Sequence, residues 1–205
     1  VALIGSAPTI LQNPPGLVDS HDLVVRVNNY KIIMPSTGSR TDVFYSFFGT
    51  SVRKNAKDLM RDGVRLCMSK LPNARLMESD WHRRHGKNAG IDYRYIYDYR
   101  APWWFCDTYV PSLDEFLAKF EVLGRHQPTT GFAALMDLLS FEVTRLYVTG
   151  FDFFRSGLHN VDEPWRAKNL DDPIRHLPEA EAQWLARAAL DDTRIALDAP
   201  LAAML

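Results

Sequence analysis

Apolar positions along the chain fall into short runs, separated by segments in which they recur every three or four residues. Val1–Ile4, Leu23–Val27, the stretch near Val43–Phe47, Val64–Met68 and Arg145–Thr149 are runs of the first kind and predict strands. Thr50–Asp62 sets Val52, Ala56, Leu59 and Met60 on one face, and Gly63 stops it. Ser112–Leu123 opens on the capping box Ser112-x-x-Glu115 and ends at Gly124. Phe132–Phe141 follows Thr130-Gly131, and Glu179–Leu190, entered through Pro178, carries Trp184, Leu185 and Ala188 inward. These four segments predict helices, and Ile195–Leu197 predicts a last strand. Strands alternating with helices imply an α/β fold, Rossmann-like, with a mainly parallel sheet and helices on both faces.

Two segments break the pattern. Residues 71–111 are irregular: Trp81–Lys87 is a basic loop, and Tyr93–Phe105 is an aromatic cluster that suits either a sugar-stacking wall or an insertion's own small core. His82 and His85 could share a helix face, but no carboxylate lies at metal-ligand spacing, so they read as solvated loop histidines. Ser156–Pro173 is acidic and without helix period; it reads as a loop over the carboxyl edge of the sheet, and residues 155–175 as a lid.

Composition narrows the classes. With 205 residues, 46% of them hydrophobic, and neither repeat nor linker, residues 1–205 read as a single domain with one core. A net charge of -1 supplies no field for nucleic acid. Cys67 and Cys106 lie far apart in sequence and in no metal spacing, and read as two ordinary buried thiols. There is no apolar run of membrane-spanning length, and the first residues read as a strand instead of a signal peptide. Peripheral membrane association, or an anchor preceding Val1, is left open.

Candidate chemistry gathers at strand ends. Gly5-Ser6-Ala7-Pro8-Thr9 follows the first strand, where Gly5 permits a tight turn and Ser6 and Thr9 offer hydroxyls to phosphate or ribose; an ordinary turn is the alternative. Asn28 ends the second strand with a donor and an acceptor for a base or ribose edge, or caps the loop. Thr129, Thr130 and Gly131 present hydroxyls and amides at a helix start, which suits a phosphate. His176 stands just before a helix N-terminus, a setting that favours the neutral imidazole.

In order, these stretches resemble a known family. GSAPT, LVDSHDLVVRVNN from Leu17 to Asn29, PTTG with the following helix and YVTGF, and His176 with Glu181 as H-x-x-x-x-E are similar to the large, small and very small sialylmotifs of sialyltransferases. Ser39-Arg40-Thr41 resembles the G-S-[RK]-T after the large motif, and His159 the histidine of the short third motif. GSAPT, RVN, TTG, GFDF and His176 also resemble, in turn, the motifs of single-domain bacterial sialyltransferases. The likeness covers Val1–Phe48 and Gln127 to about Leu190. Ser6 replaces the family's usual Asn, Phe154 stands where the bacterial enzymes have Tyr, and the cysteine pair joining the large and small motifs of animal-type enzymes is absent.

The resemblance implies a GT-A-like variant of the Rossmann-like fold. It implies an inverting, metal-independent glycosyltransferase that moves a 2-keto sugar acid, sialic acid or Kdo, from its CMP ester to a hydroxyl of a glycan or glycolipid. No Asp-x-Asp occurs in the sequence. The CMP-sugar is then a substrate and no further cofactor is called for. His176 becomes the base and His159 a donor to the leaving phosphate, while Gly5, Ser6, Thr9, Asn28, Thr129, Thr130 and Gly131 hold CMP. Glu181 orients His176 or caps its helix. The missing cysteine pair fits a reduced, cytoplasmic setting. A nucleotide- or glycan-binding module of the same fold without turnover is the alternative. A SAM or NAD enzyme is disfavoured by the incomplete glycine loop and the lack of an acidic ribose ligand after the second strand.

Overall fold

A computed structural model describes residues 1–48, 52–72, 106–159, 163–164 and 176–205. In chain order its strands are β1 (Ala2–Ile4), β2 (Val24–Val27), β3 (Val43–Ser46), β4 (Leu66–Ser69), β5 (Asp107–Tyr109), β6 (Leu146–Thr149), β7 (Leu158–His159), β8 (Glu163–Pro164) and β9 (Ile195–Leu197). Its helices are α1 (Ala56–Arg61), α2 (Leu113–Val122), α3 (Thr130–Ser140), α4 (Pro178–Asp191) and α5 (Ala199–Met204). Seven strands form one wholly parallel sheet in the order β5-β4-β3-β2-β1-β6-β9.

The inner strands are buried on both faces, which is why they read as unbroken apolar runs. Leu3, Val25, Tyr45, Met68 and Val148 face α3, α4 and α5. Phe44 and Cys67 face α1 and α2 on the other side, while Ala2, Ile4 and Val24 meet Ile10 and Val18 of two short 3-10 turns. Leu135 of α3 and Leu185 of α4 are each 1% exposed, and such burial contributes about 1.5–3 kcal/mol per side chain.

The structure departs from the sequence reading in several places. α1 starts at Ala56, not Thr50, because Asn55 caps it: the Asn55 side chain accepts from the Asp58 N–H, and the Asp58 carboxylate accepts from the Asn55 N–H. Met60, expected inward, is 50% exposed. β5 lies in the stretch read as irregular, and β7 and β8 pair antiparallel in the stretch read as loop. α5, capped by Asp198, was not foreseen. Residues 49–51, the Trp81–Lys87 loop with His82 and His85, the Tyr93–Phe105 cluster and lid residues 165–175 lie outside the described residues. No helix among the described residues is long and apolar enough to cross a membrane.

Arg26, central in β2 and 0% exposed, explains the one charge in that run. Its guanidinium donates to the carbonyls of Thr37 and Arg40 and so ties the 35–40 loop beneath the sheet edge. Arg40 in turn donates to the carbonyls of Asp19 and His21 and pairs with Asp42 at 3.0 Å.

Strand order reverses between β1 and β6, and the crevice at such a point is where open α/β sheets bind ligands. There the two backbones touch. The Gly5 N–H donates to the Thr149 carbonyl at 2.8 Å, the Ala7 N–H to the Gly150 carbonyl at 2.9 Å, and a Cβ on Gly5 would sit 2.1 Å from the Gly150 oxygen. Gly5 is therefore required by the approach of another backbone. Gly5→Ala is expected to lose about 3 kcal/mol or more in urea denaturation, since two rigid backbones must part. Gly16→Ala, with open space but φ of +79°, should lose only about 1–2 kcal/mol. Equal losses would show that the contact is dispensable.

Candidate active site

Two buried side chains hold the end of β6 in place. Asp198 accepts from the Thr149 hydroxyl at 2.6 Å and the Gly150 N–H at 3.2 Å, and the Asn13 amide donates to the same hydroxyl at 2.9 Å. Beyond Gly150 the chain turns tightly with Phe153 and Phe154 at φ of 50° and 61°. Asp152 sustains the turn by accepting from the Phe154 and Ser156 N–H groups. The Phe151 ring lies against both Gly5 and Gly131, where a Cβ would come within 2.9 Å and 2.5 Å of it. One aromatic ring thus joins the GSAPT loop, the GFDF turn and the start of α3.

Around this junction the candidate residues take distinct places. Ser6 and Thr9 are half-buried, and the Thr9 hydroxyl oxygen is buried with no partner among the described residues. Asn28, at φ 47°, uses the left-handed tolerance of asparagine to turn at the end of β2; its N–H donates to the Tyr45 carbonyl, and its Oδ1 accepts from the Ser46 hydroxyl at 3.1 Å. His159 falls in β7, opposite Glu163.

The densest arrangement joins α3 to α4. Thr129 is the N-cap of α3, and its hydroxyl oxygen accepts from the Phe132 N–H at 3.2 Å. Its own two donors go to Glu181: N–H to Oε1 at 2.6 Å and hydroxyl to Oε2 at 2.7 Å. Glu181 therefore neither caps its own helix nor meets the imidazole; it grips the turn. Both donors of Thr129 are committed inside the protein. Among the described residues the N–H groups of Thr130 and Gly131 find no acceptor, and they point from the positive end of an 11-residue helix. His176 Nδ1 donates to the Gln127 carbonyl at 2.7 Å. In the neutral ring this fixes the proton on Nδ1 and makes Nε2 the basic nitrogen. Five residues apart, His176 and Glu181 hold one short segment from two sides.

Buried charge surrounds this clamp, and most of it escaped the sequence reading. Glu181 is 2% exposed; burial raises its carboxyl to about 7, against the Thr129 hydrogen bonds and the charge of Lys70. Lys70, 3% exposed just past β4, is lowered to about 7 by burial, with Glu181 opposing and Lys119 assisting. Lys119 of α2 pairs with Asp137 of α3 at 2.5 Å, and the Tyr45 hydroxyl donates to the same carboxylate at 2.5 Å. The signal for Lys70 was a cation directly after a parallel strand's carboxyl end. No group of three or more His, Cys, Asp or Glu able to hold a metal occurs among the described residues.

Solved structures of low sequence identity share this architecture. A mammalian sialyltransferase in complex with Gal-β-1-3GalNAc-ortho-nitrophenol superimposes with a TM-score of 0.61 at 17% identity, over 96% of this chain and 67% of that one. The sialyltransferase CstII from Campylobacter jejuni in complex with cytidine-5'-monophosphate gives 0.57 at 15%, over 96% and 77%. The same enzyme in complex with CMP-3FNeuAc gives 0.56 at 14%, over 97% and 79%. This is the sialyltransferase fold. No family model and no curated protein matches the chain.

The raised carboxyl of Glu181 has a measurable sign. The native group keeps its proton to about 7 while the unfolded one releases it near 4.5, so the stability it contributes is fully present below pH 4.5 and lost as pH rises through about 7. Glu181→Gln removes that loss: the stability of the variant relative to wild type should climb by on the order of 3 kcal/mol across this window. A difference that stays flat between these pH values would place the proton elsewhere.

Proposed function

We propose that the protein is a CMP-sugar-dependent glycosyltransferase that moves a 2-keto sugar acid to a hydroxyl of a glycan acceptor, with inversion and without a metal. The observation that carries this reading is the His176 Nδ1 to Gln127 bond: it fixes the basic nitrogen of a histidine on the segment whose next residues start α3. Support also comes from the solved sialyltransferases that share the fold, one in complex with CMP and one with Gal-β-1-3GalNAc-ortho-nitrophenol. Sialic acid is the first choice of donor sugar, with CMP-Kdo as the alternative.

In this reading cytidine lies along the GSAPT loop and Asn28, with Ser6 and Thr9 toward the ribose. The CMP phosphate sits at the start of α3, where the amides of Thr130 and Gly131 and the helix dipole meet charge that grows as the bond to the sugar breaks. Thr129 serves by holding the turn, and His159 donates to the departing phosphate in place of the tyrosine that Phe154 replaces. His176 Nε2 takes the acceptor hydroxyl proton while the acceptor oxygen attacks the anomeric carbon from the face opposite CMP. CMP leaves with the bonding pair, and the sugar inverts.

CMP release from CMP-sialic acid and from CMP-Kdo, with an array of glycan acceptors, tests the proposal. Wild type should turn over one donor, and His176→Ala should lower kcat about 10²–10⁴-fold while CMP affinity stays within about twofold. CMP bound normally by both proteins with no release from either donor would favour a binding module without turnover. Thermal stabilisation by UDP or GDP and none by CMP would sink the proposal.

A further inference from the structure

Cys67 and Cys106 are far apart in sequence, but the sheet brings them together. Cys67 sits in β4, 0% exposed, and Cys106 immediately precedes β5, half-buried. Cys67 pairs in register with Thr108, so Cys106, two residues upstream, points to the same face of the sheet. Both pack in the apolar cluster of Phe44, Phe116 and Phe120, and their Sγ atoms are 3.4 Å apart. A disulfide needs about 2.05 Å, so closure asks for a movement of roughly 1.4 Å. The movement falls on β5, an edge strand of the sheet, with one neighbouring strand among the described residues to resist it.

We infer that Cys67 and Cys106 are a modification site: a vicinal thiol pair that closes to an intramolecular disulfide by exchange with a small-molecule disulfide such as oxidised glutathione. The half-buried Cys106 reacts first. Its sulfur attacks one sulfur of the small disulfide, forming a mixed disulfide and releasing one small thiol. Cys67 Sγ then attacks the Cys106 sulfur, releasing the second small thiol and forming the Cys67–Cys106 bond. Two protein thiols are oxidised, one small disulfide is reduced to two thiols, and the two protein thiol protons pass to these. Burial raises both protein thiols above the ordinary cysteine value, so exchange is slow at neutral pH and is best followed in mildly alkaline buffer. The bond closes the chain across a separation of 39 residues.

The test is peptide mapping of the reduced, full chain after equilibration in glutathione buffers of rising oxidised fraction, acid quench and alkylation. The expected product is a disulfide-linked tryptic pair, 66–70 joined to 101–119, that disappears on reduction and is absent from Cys67→Ser and Cys106→Ser. Closure of so long a loop should also raise the Tm of wild type by on the order of 5–10 °C, without effect on Cys67→Ser. Glutathione retained on Cys106 with Cys67 still alkylated, two alkylated thiols at the most oxidising ratio, or a disulfide between two chains would each overturn the inference.

Discussion

A carboxylate with almost no access to water holds the working end of this molecule together. Glu181 reaches from α4 to take both donors of Thr129, and Thr129 caps α3, so one pair of short hydrogen bonds joins the two helices. The same helix entry sends His176 to the Gln127 carbonyl. Losing Glu181 would leave the Thr129 N–H and hydroxyl buried without an acceptor, at a cost of about 1–3 kcal/mol each, so this turn is held by more than its own loop chemistry. The start of α3 and the His176 imidazole are thereby fixed by one scaffold.

The sheet supplies the second constraint. β1 and β6 part at the point where their backbones are in contact, and side chains at Gly5 or Gly150 would force them apart. The Phe151 ring then fills the wedge between the two loops and the first turn of α3. Buried Lys70, just past β4, acts on Glu181, and the Lys119–Asp137 pair with the Tyr45 hydroxyl ties α2 and α3 to β3. Such buried ionic groups are costly to desolvate, and the cost is offset by a fixed position for the elements they join.

Much of the fold could be read from the chain because parallel strands buried on both faces leave unbroken apolar runs, and the capping box at Ser112 or the proline at 178 leaves local signals. β5 could not, since Asp107-Thr108-Tyr109 is not an apolar run and is at most half-buried, and α5 could not, since its six residues offer too few apolar positions to set a period. Candidate residues could be picked from the sequence, but their contacts could not. Gly5 was read as a turn residue and is a packing residue, and Glu181 was read as a partner of its own helix or of His176 and holds Thr129. The pairing of Cys67 with Cys106 depends on sheet order, which no local spacing encodes.

On the proposed function, the loops joined at Gly5, Phe151 and Gly131 form the two halves of a CMP site with His176 at its open side. The structure of the protein with CMP bound is the decisive measurement. Cytidine is expected against the GSAPT loop and Asn28, and the phosphate on the amides of Thr130 and Gly131 with the His176 imidazole facing it. CMP bound away from the β1–β6 crevice, or with its phosphate turned from the start of α3, would contradict it.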